Sequence, residues 1–368
     1  MTDTVYDKIK EQSKTLNDSL AIKSMDQSNP KNVNWMWPGK IAYGKTTLFA
    51  GEPGVGKSQL LLYISSIVSY GGTFHFENKK CRKGKVLLIA GEDNDEDTIK
   101  PRLMALSADC KNIDLCQGKP AIDKNGNPYF GCISIVEDLH LMEETIKKEQ
   151  YSLIIIDPIS MYLGSVDENK NKEIRHALGM LDALAMRHNC AIILNSHFNK
   201  GGKNAIGRIM GSVGFAGASR VVYGIMKDTE NKEEDKRLFI PIKNNLADDK
   251  EGYVYQVKPV TVRNCVENIS TCRVEWLPEK TSTTADEILS ASSVSLETPK
   301  LDAAKEFLLE VLKDGSKLLV EIRKEANEKK ISAGILYKAK EVLKINEEYS
   351  YSKRGCKIWM LSPQSPEK

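Results

Sequence analysis

Short runs of β-branched and aliphatic residues alternate with segments of helical apolar spacing between residues 33 and 278. Parallel strands need crossover connections, which helices usually supply, so this alternation is typical of a parallel sheet covered by helices. We therefore predict an α/β fold with a mostly parallel, twisted sheet flanked by helices. The clearest predicted strands are residues 46–50, 86–90, 153–156, 191–195 and 220–225.

The segments on either side of this core have different patterns. Residues 1–32 are polar and charged with little apolar periodicity, which predicts a tail rather than a domain. Residues 279–300 are rich in Ser, Thr and Ala, a composition typical of a linker. Residues 301–368 predict a small winged-helix domain, since three helical patterns and a hairpin pattern follow one another at 301–313, 318–329, 332–343 and 349–361.

Composition is typical of a soluble globular protein. The 368 residues are 41% hydrophobic, which is enough for a buried core in the larger domain. The sequence has no apolar run of eighteen residues and no apolar secretory segment, so we expect a cytoplasmic protein with no membrane partner. The eight cysteines lack a CxxC pair, which favours reduced thiols over a zinc site, and a net charge of +3 is too small to indicate nucleic acid by itself.

The most specific motif follows the first predicted core strand. It matches the spacing GxxxxGK[ST] and reads Gly51-Glu52-Pro53-Gly54-Val55-Gly56-Lys57-Ser58. Glycines let backbone N–H groups of such a loop point at phosphates, at the start of a helix whose dipole also favours anions. We predict that these eight residues and Gln59 bind ATP, with Lys57 at the terminal phosphates and Ser58 on Mg²⁺. The alternative is a chance glycine-rich turn.

Asp157 ends an apolar run at residues 153–156, at the point where a strand buried on both faces should leave the core. Open α/β sheets bind their ligands at the carboxyl ends of the strands. Asp157 is therefore predicted to be a Walker-B aspartate, which holds Mg²⁺ together with Ser58. The alternative is an aspartate that only caps the following turn.

Two further polar positions end predicted strands. Glu92 follows the strand at 86–90 and is our candidate for the base that activates the attacking water. Asp93 is the alternative base, because an acidic cluster begins there. His197 follows the strand at 191–195 and is a candidate sensor of the terminal phosphate, although lone histidines are usually structural.

These motifs resemble, in their order, the RepA-type hexameric helicase branch of the RecA-like P-loop ATPases. The lead-in before the P-loop strand adds to the resemblance and reads Trp35-Met36-Trp37-Pro38-Gly39-Lys40-Ile41. The resemblance covers residues 33–262 and implies a RecA-like ATPase domain at 33–278. The C-terminal segment is similar to the winged-helix tails of plasmid- and phage-associated ATPases.

The resemblance also implies a homo-oligomer, a hexameric ring with ATP bound between subunits. Arg220 matches the position of an arginine finger that acts on the neighbouring subunit, and a simple surface charge is the alternative for it. Lys243 is similar to a second basic residue acting in trans. Residues 201–208 and, with weaker claims, residues 169–175 would be basic loops that track single-stranded DNA, or else ordinary solvated loops.

The leading hypothesis is therefore an ATP-hydrolysing ring that acts as a replicative DNA helicase, or as a motor stimulated by single-stranded DNA, in a plasmid, phage or integrated element. The alternative is an ATP-controlled regulator or loader whose winged helix binds duplex DNA. Its candidate basic residues are Lys338, Lys340, Lys344, Lys353, Arg354 and Lys357. Winged helices also dock proteins, so both roles stay open. A small-molecule kinase is disfavoured because nothing resembles an acceptor lid.

Overall fold

The computed structural model describes residues 22–199, 204–209, 213–228, 235–248, 250–263, 267–349 and 356–361. The chain divides into two compact units, Met1–Ile288 and Leu289–Lys368. Most of the predicted tail lies outside the described residues. No helix in the described part of the chain is long and apolar enough to cross a membrane.

The first unit contains both strands and helices in alternation. Its described strands are β1 (Trp35–Trp37), β2 (Ile41–Ala42), β3 (Thr46–Gly51), β4 (Lys85–Ala90), β5 (Ile113–Leu115), β6 (Lys119–Ile122), β7 (Pro128–Gly131), β8 (Tyr151–Asp157), β9 (Ala191–His197), β10 (Val221–Lys227), β11 (Lys236–Asn244), β12 (Gly252–Arg263) and β13 (Asn268–Thr281). Its described α-helices are α1 (Lys57–Tyr70), α2 (Lys100–Ala105), α3 (Leu139–Glu149), α4 (Asn171–His188), α5 (Ala205–Arg208) and α6 (Val213–Ala218).

Nine of these strands form one sheet in the order β13-β12-β11-β10-β3-β9-β8-β4-β5. The strands from β10 to β5 pair in parallel. The other three continue the sheet beyond β10 by antiparallel pairing, and we call β11, β12 and β13 the antiparallel extension. The predicted α/β fold with a mostly parallel sheet flanked by helices is confirmed.

The parallel strands are where the apolar runs predicted them. The runs at 46–50, 86–90, 153–156, 191–195 and 220–225 correspond to β3, β4, β8, β9 and β10. Leu153 to Ile156 are all at most 1% exposed in β8, as expected for a strand covered by helices on both faces. Asp182 of α4 accepts hydrogen bonds from the Thr46 N–H and hydroxyl, each at 2.8 Å, and so holds the start of β3.

The tryptophan lead-in belongs to the core. Trp37 is fully buried and stacks on Phe74, with ring centroids 4.7 Å apart, and on Phe239 of β11, at 5.7 Å. Trp276 of β13 meets the Trp37 ring edge-on at 5.8 Å. Buried aromatic rings contribute large apolar areas to a core. Trp37 therefore fastens the antiparallel extension to the segment that leads into β3.

The structure differs from the predicted linker at residues 279–300. Strand β13 continues to Thr281, and the next helix, α7, spans Ala285–Leu312. The Thr284 N–H donates to the Glu287 carboxylate at 2.7 Å, and the Glu287 N–H donates to the Thr284 hydroxyl at 3.3 Å. This reciprocal pair is a capping box, a helix-start signal present in the sequence Thr284-Ala285-Asp286-Glu287. The Ser- and Thr-rich composition of residues 279–300 favoured a linker over this helix start.

The second unit continues after α7 with a short strand, two helices and two strands. These are β14 (Lys317–Leu318), α8 (Leu319–Glu328), α9 (Ala333–Val342), β15 (Asn346–Tyr349) and β16 (Lys357–Met360). The strands form an antiparallel sheet in the order β14-β16-β15. The core of this unit contains fully buried Trp359 and Ile322. The helices lie where the apolar spacing predicted them.

A carboxylate in the second unit accepts hydrogen bonds from two of the lysines that are candidates for binding duplex DNA. Glu347 of β15 accepts hydrogen bonds from Lys340 at 2.9 Å, from Lys357 at 2.5 Å and from the indole N–H of Trp359 at 2.9 Å. These bonds, first that from Lys357, lower the pKa of Glu347 to about 2. Lys340 and Lys357 are therefore engaged inside the unit. Lys353 and Arg354, the centre of the predicted wing, lie outside the described residues.

Candidate nucleotide site

The glycine-rich loop connects β3 to α1, as the motif requires. A Cβ atom on Gly51 would lie 2.1 Å from the Ile225 carbonyl oxygen, so a side chain there would force β3 and β10 apart. Gly54 and Gly56 have φ angles of +75° and +91°, in the left-handed region that favours glycine. The loop ends at Lys57, the first residue of α1. Its backbone N–H groups are thus placed at a helix N-terminus, where anions bind.

Lys57 is folded back over the loop. Only 5% of the residue is exposed, and its ammonium donates to the carbonyls of Gly51 and Glu52 at 3.0 Å and 2.9 Å. It also lies 3.1 Å from Nδ1 of His197. Burial lowers the pKa of Lys57 to about 8, although nearby carboxylates, first that of Asp157, act in the opposite direction. A phosphate group could take the place of these carbonyls as the acceptor.

Asp157 lies at the carboxyl end of β8, and the amide of Asn195 from β9 donates to its carboxylate. Ser58, Glu92 and Asp157 line one cavity of about 30 Å³. Hydroxyl and carboxylate oxygens are the ligands that Mg²⁺ prefers. Ser58 and Asp157 therefore fit the predicted role of holding Mg²⁺, with Ser58 in the first turn of α1 and Asp157 at the end of β8.

The two candidate bases, Glu92 and Asp93, differ in whether another side chain pairs with their carboxylate. Asp93 accepts a hydrogen bond from Arg102 at 2.7 Å and forms an ion pair with it. In the described part of the chain, the Glu92 carboxylate has no hydrogen bond or ion pair of this kind. Partial burial raises the pKa of Glu92, and the negative charges of Asp157 and Asp93 raise it further. Of the two candidate bases, Glu92 is the one available to accept a proton.

His197 ends β9, between the P-loop strand and the strand of Asp157. Burial lowers the pKa of His197, and the positive charge of Lys57 lowers it further. The 3.1 Å approach of the Lys57 ammonium requires a neutral imidazole whose Nδ1 accepts the hydrogen bond. His197 is therefore in direct contact with the lysine that would bind the terminal phosphate, as a sensor must be.

A family model for the AAA domain matches residues 10–203, just over half of the chain. The chain belongs to the AAA domain family. With the sheet order and the site described above, this identifies a RecA-like P-loop ATPase core. The finer assignment to the RepA-type branch stays a prediction.

Two curated relatives match this AAA protein along part of its length. The DNA repair protein RadA of Listeria monocytogenes is 23% identical over 238 residues, which are 64% of this chain and 44% of that protein. The DNA repair protein RadA of Campylobacter jejuni is 27% identical over 176 residues, which are 47% of this chain and 32% of that protein. The chain thus spans less than half of the length of either relative.

Arg220 and Lys243 lie at the other edge of the AAA core. Arg220 immediately precedes β10, and Val221 pairs with Thr47, four residues before Gly51 in β3. About 13 Å of strand therefore separates the start of β10 from the phosphate-binding loop of the same chain. Lys243 pairs with Val222 and lies at the same level. The structure does not bring these two residues together with Lys57, Glu92 and Asp157 within one chain.

The contacts of Lys243 are internal. Its ammonium donates to the carbonyls of Ala216 and Ser219, both at 2.8 Å, at the end of α6. Burial lowers the pKa of Lys243, and the charges of Arg220 and Arg175 lower it further. These contacts hold the turn that carries Arg220.

Motif analysis missed two contacts of the loop with the antiparallel extension. Arg237 of β11 donates from Nε to the carbonyl of Val55 at 3.0 Å. Gln59, predicted to contact the nucleotide, donates instead to Sγ of Cys272 in β13 at 3.2 Å. No local sequence pattern could have indicated the contact of Arg237 with Val55, because 182 residues separate the two.

Proposed function

We propose that this protein hydrolyses ATP with Glu92 as the base. The observation that carries the proposal is the convergence of Glu92 and Asp157, which follow neighbouring strands, with Lys57 at the start of α1. Glu92 is unpaired in the described residues, while Asp93 is held by Arg102. A storage or switch protein needs the loop and a magnesium ligand, but it does not need an available carboxylate beside them.

In this proposal Lys57 leaves the carbonyls of Gly51 and Glu52 and binds the terminal phosphates of ATP. Glu92 then orients the attacking water and accepts its proton. Ser58 and Asp157 would hold Mg²⁺, which when bound neutralises charge on the phosphates. His197, in contact with Lys57, would sense whether the terminal phosphate is present.

We propose further that the active site is completed by a second copy of the chain. The position of Arg220, about 13 Å of strand away from the loop of its own subunit, supports action in trans. An arginine supplied by a neighbour stabilises the charge that develops in phosphoryl transfer and couples hydrolysis to the motion of subunits. A homo-oligomeric ring, hexameric by the RepA-type resemblance, provides such a neighbour at every site.

Single-stranded DNA is the proposed partner of the ring. Both curated relatives are named as DNA repair proteins. The basic loop at 201–208 follows the carboxyl end of β9, the edge that carries the active site, whereas the segment at 169–175 enters α4 at Asn171 and its Arg175 lowers the pKa of Lys243. In that segment, Lys170 pairs with Glu173 at 3.1 Å, so that lysine is already engaged. In the loop at 201–208, Lys203 lies outside the described residues. The proposed activity is that of a replicative helicase or single-strand-stimulated motor of a mobile element.

An ATPase assay with single-stranded DNA, duplex DNA and no DNA, performed beside a measurement of mass in solution, tests this proposal. We expect hydrolysis to rise with single-stranded DNA at low salt and the mass to be that of a ring. Hydrolysis that does not change over a wide range of single-stranded DNA would refute the motor. Absence of hydrolysis under all three conditions would refute the ATPase itself.

A second candidate is the ATP-controlled regulator or loader that binds duplex DNA. It is supported by the order of elements in the second unit, helix, strand, two helices and two strands, which fits the predicted winged helix. The full-length chain with Lys353 and Arg354 both changed to Gln tests it. A regulator should lose duplex binding, whereas a motor should keep its stimulation by single-stranded DNA.

A further inference from the structure

The guanidinium of Arg237 is fixed on three sides beside the phosphate-binding loop. Nε donates to the Val55 carbonyl at 3.0 Å, Nη1 donates to the Asp235 carbonyl at 2.9 Å, and Nη2 lies 3.2 Å from the Asp235 carboxylate. The residue is 8% exposed although it carries a full charge. A rigid, planar guanidinium anchored through each of its three nitrogens fixes the direction of the hydrogen bond to Val55.

This anchoring has a consequence for the peptide unit between Val55 and Gly56. In a trans peptide the carbonyl and the N–H point in opposite directions. When Arg237 holds the Val55 carbonyl toward β11, the N–H of Gly56 must face away from β11. In loops of this type, the backbone N–H groups before the lysine bind the phosphates.

The space around Gly56 shows that this arrangement is closely packed. A Cβ on Gly56 would lie 3.2 Å from Nε of Arg237 and 2.9 Å from Oε1 of Gln59. The φ angle of +91° is itself a conformation that L side chains rarely adopt. Gly56 therefore makes room for Arg237 as well as for the turn of the loop.

We infer that Arg237 is a positioning residue for the nucleotide site. Held by Asp235, it fixes the Val55 carbonyl outward, so that the Gly56 N–H is already directed at the phosphates before nucleotide arrives. Preorganised donors lose no free energy to reorientation on binding. The inference rests on the proposed nucleotide site, but it concerns a residue outside the motif and far from it in sequence.

The test compares two single-charge losses in the full-length chain. Arg237→Gln removes the anchor. Arg187→Gln removes a more exposed arginine of α4, which donates to Glu143 of α3 at 2.8 Å and 2.9 Å, and serves as the control for loss of a paired charge. Affinities for ADP and for inorganic pyrophosphate are measured by titration calorimetry, and folding is checked by circular dichroism and thermal unfolding.

We expect Arg237→Gln to weaken both ADP and pyrophosphate at least tenfold, the loss typical of a charged hydrogen bond. Arg187→Gln should stay within twofold of the wild type. Arg237→Lys keeps one donor and the charge but gives up the bonds to Asp235, so its affinities should fall between those of wild type and Arg237→Gln. A role in folding alone would lower thermal stability and leave the affinities of the folded protein unchanged.

Folded Arg237→Gln that binds both ligands within twofold of the wild type would overturn the inference, as would equal losses in Arg237→Gln and Arg187→Gln. Should Arg237→Gln fail to fold, Asp235→Asn replaces it, because that side chain is 60% exposed. About a threefold loss of pyrophosphate affinity is then expected, and no loss overturns the inference. Failure of the wild type to bind either ligand is a separate result, which contradicts the proposed nucleotide site.

Discussion

The two edges of the parallel sheet carry opposite chemistry. At the carboxyl edge, Glu92 and Asp157 line an acidic pocket, and buried Lys57 lies beside them. At the other edge, around the start of β10, lie three cations, Arg175, Arg220 and Lys243, close enough for their charges to lower the pKa of Lys243. A Cβ on Gly217 of α6 would approach the Arg175 guanidinium to 3.0 Å.

This difference assigns nucleotide binding to one edge and the cations that would complete a neighbouring active site to the other edge. The carboxyl edge has what is needed to hold a nucleotide and activate water, and the guanidinium of Arg237, the cation described beside the loop besides Lys57, is held by Val55 and Asp235. The opposite edge has exposed arginines but no phosphate-binding loop. When two copies are placed with unlike edges together, each edge supplies what the other lacks. The comparison therefore predicts which residues can be separated onto different subunits and which cannot.

The largest expected effect comes from dividing the two edges between subunits. Arg220→Ala should lower the turnover number by about 10³-fold, the usual value for an arginine finger, and Lys57→Ala should abolish turnover. Because each variant keeps the edge that the other has lost, mixing them should restore hydrolysis at a fraction of the sites. Steady-state ATPase of the mixture measures this. A mixture as inactive as its components would leave Arg220 without a role in trans.

Glu92→Gln should give the next largest effect. Loss of a general base typically costs at least 100-fold in turnover, while affinity for nucleotide should stay within about threefold because the loop is intact. Asp93→Asn is the matched control, since its carboxylate is held by Arg102 at 2.7 Å, and it should keep most of its turnover. Full activity in the Glu92 variant with loss in the Asp93 variant would reverse the assignment. Single-turnover kinetics separate binding from hydrolysis in both.

The carboxyl edge was predictable from the sequence because its acidic residues and His197 come after apolar runs. Asp157 and His197 follow strands buried on both faces, and such strands give uninterrupted apolar segments that fix where the polar residue must emerge. The loop itself is determined by its glycines, two of which have positive φ angles. Local sequence thus contains most of the information for this edge.

The antiparallel extension was not predictable in the same way. Its strands mix buried and exposed residues, and Tyr253 and Trp276 contact the rings of Phe76 and Tyr63, which are far away in sequence. Arg237 gains its contact with Val55 only when β11 is placed next to β10 and level with the loop. A tertiary contact of this kind has no local signature. The start of α7 differs, because its capping box was present and overlooked.

A smaller effect should appear in the pH dependence of nucleotide binding. Burial lowers the pKa of Lys57 to about 8 in the free protein, and bound phosphate favours the charged ammonium. Above pH 8 the free lysine is mostly neutral, so binding must take up a proton and affinity falls as pH rises. We expect ADP to bind about fivefold more weakly at pH 9 than at pH 8. Titration of Lys57→Met, whose affinity should not change over this interval, is the control.

The smallest effect on turnover is expected for Lys243→Met, which distinguishes a cation that contacts phosphate from one that holds the fold. The variant leaves the carbonyls of Ala216 and Ser219 without their donor, which should cost about 1–2 kcal/mol of stability. Arg220 keeps its charge, so turnover per folded subunit should fall far less than the roughly 10³-fold expected for Arg220→Ala. Urea unfolding and steady-state ATPase of the same preparation give both values. A loss of turnover as large as that of Arg220→Ala, with unchanged stability, would instead make Lys243 a second residue that acts on the neighbouring site.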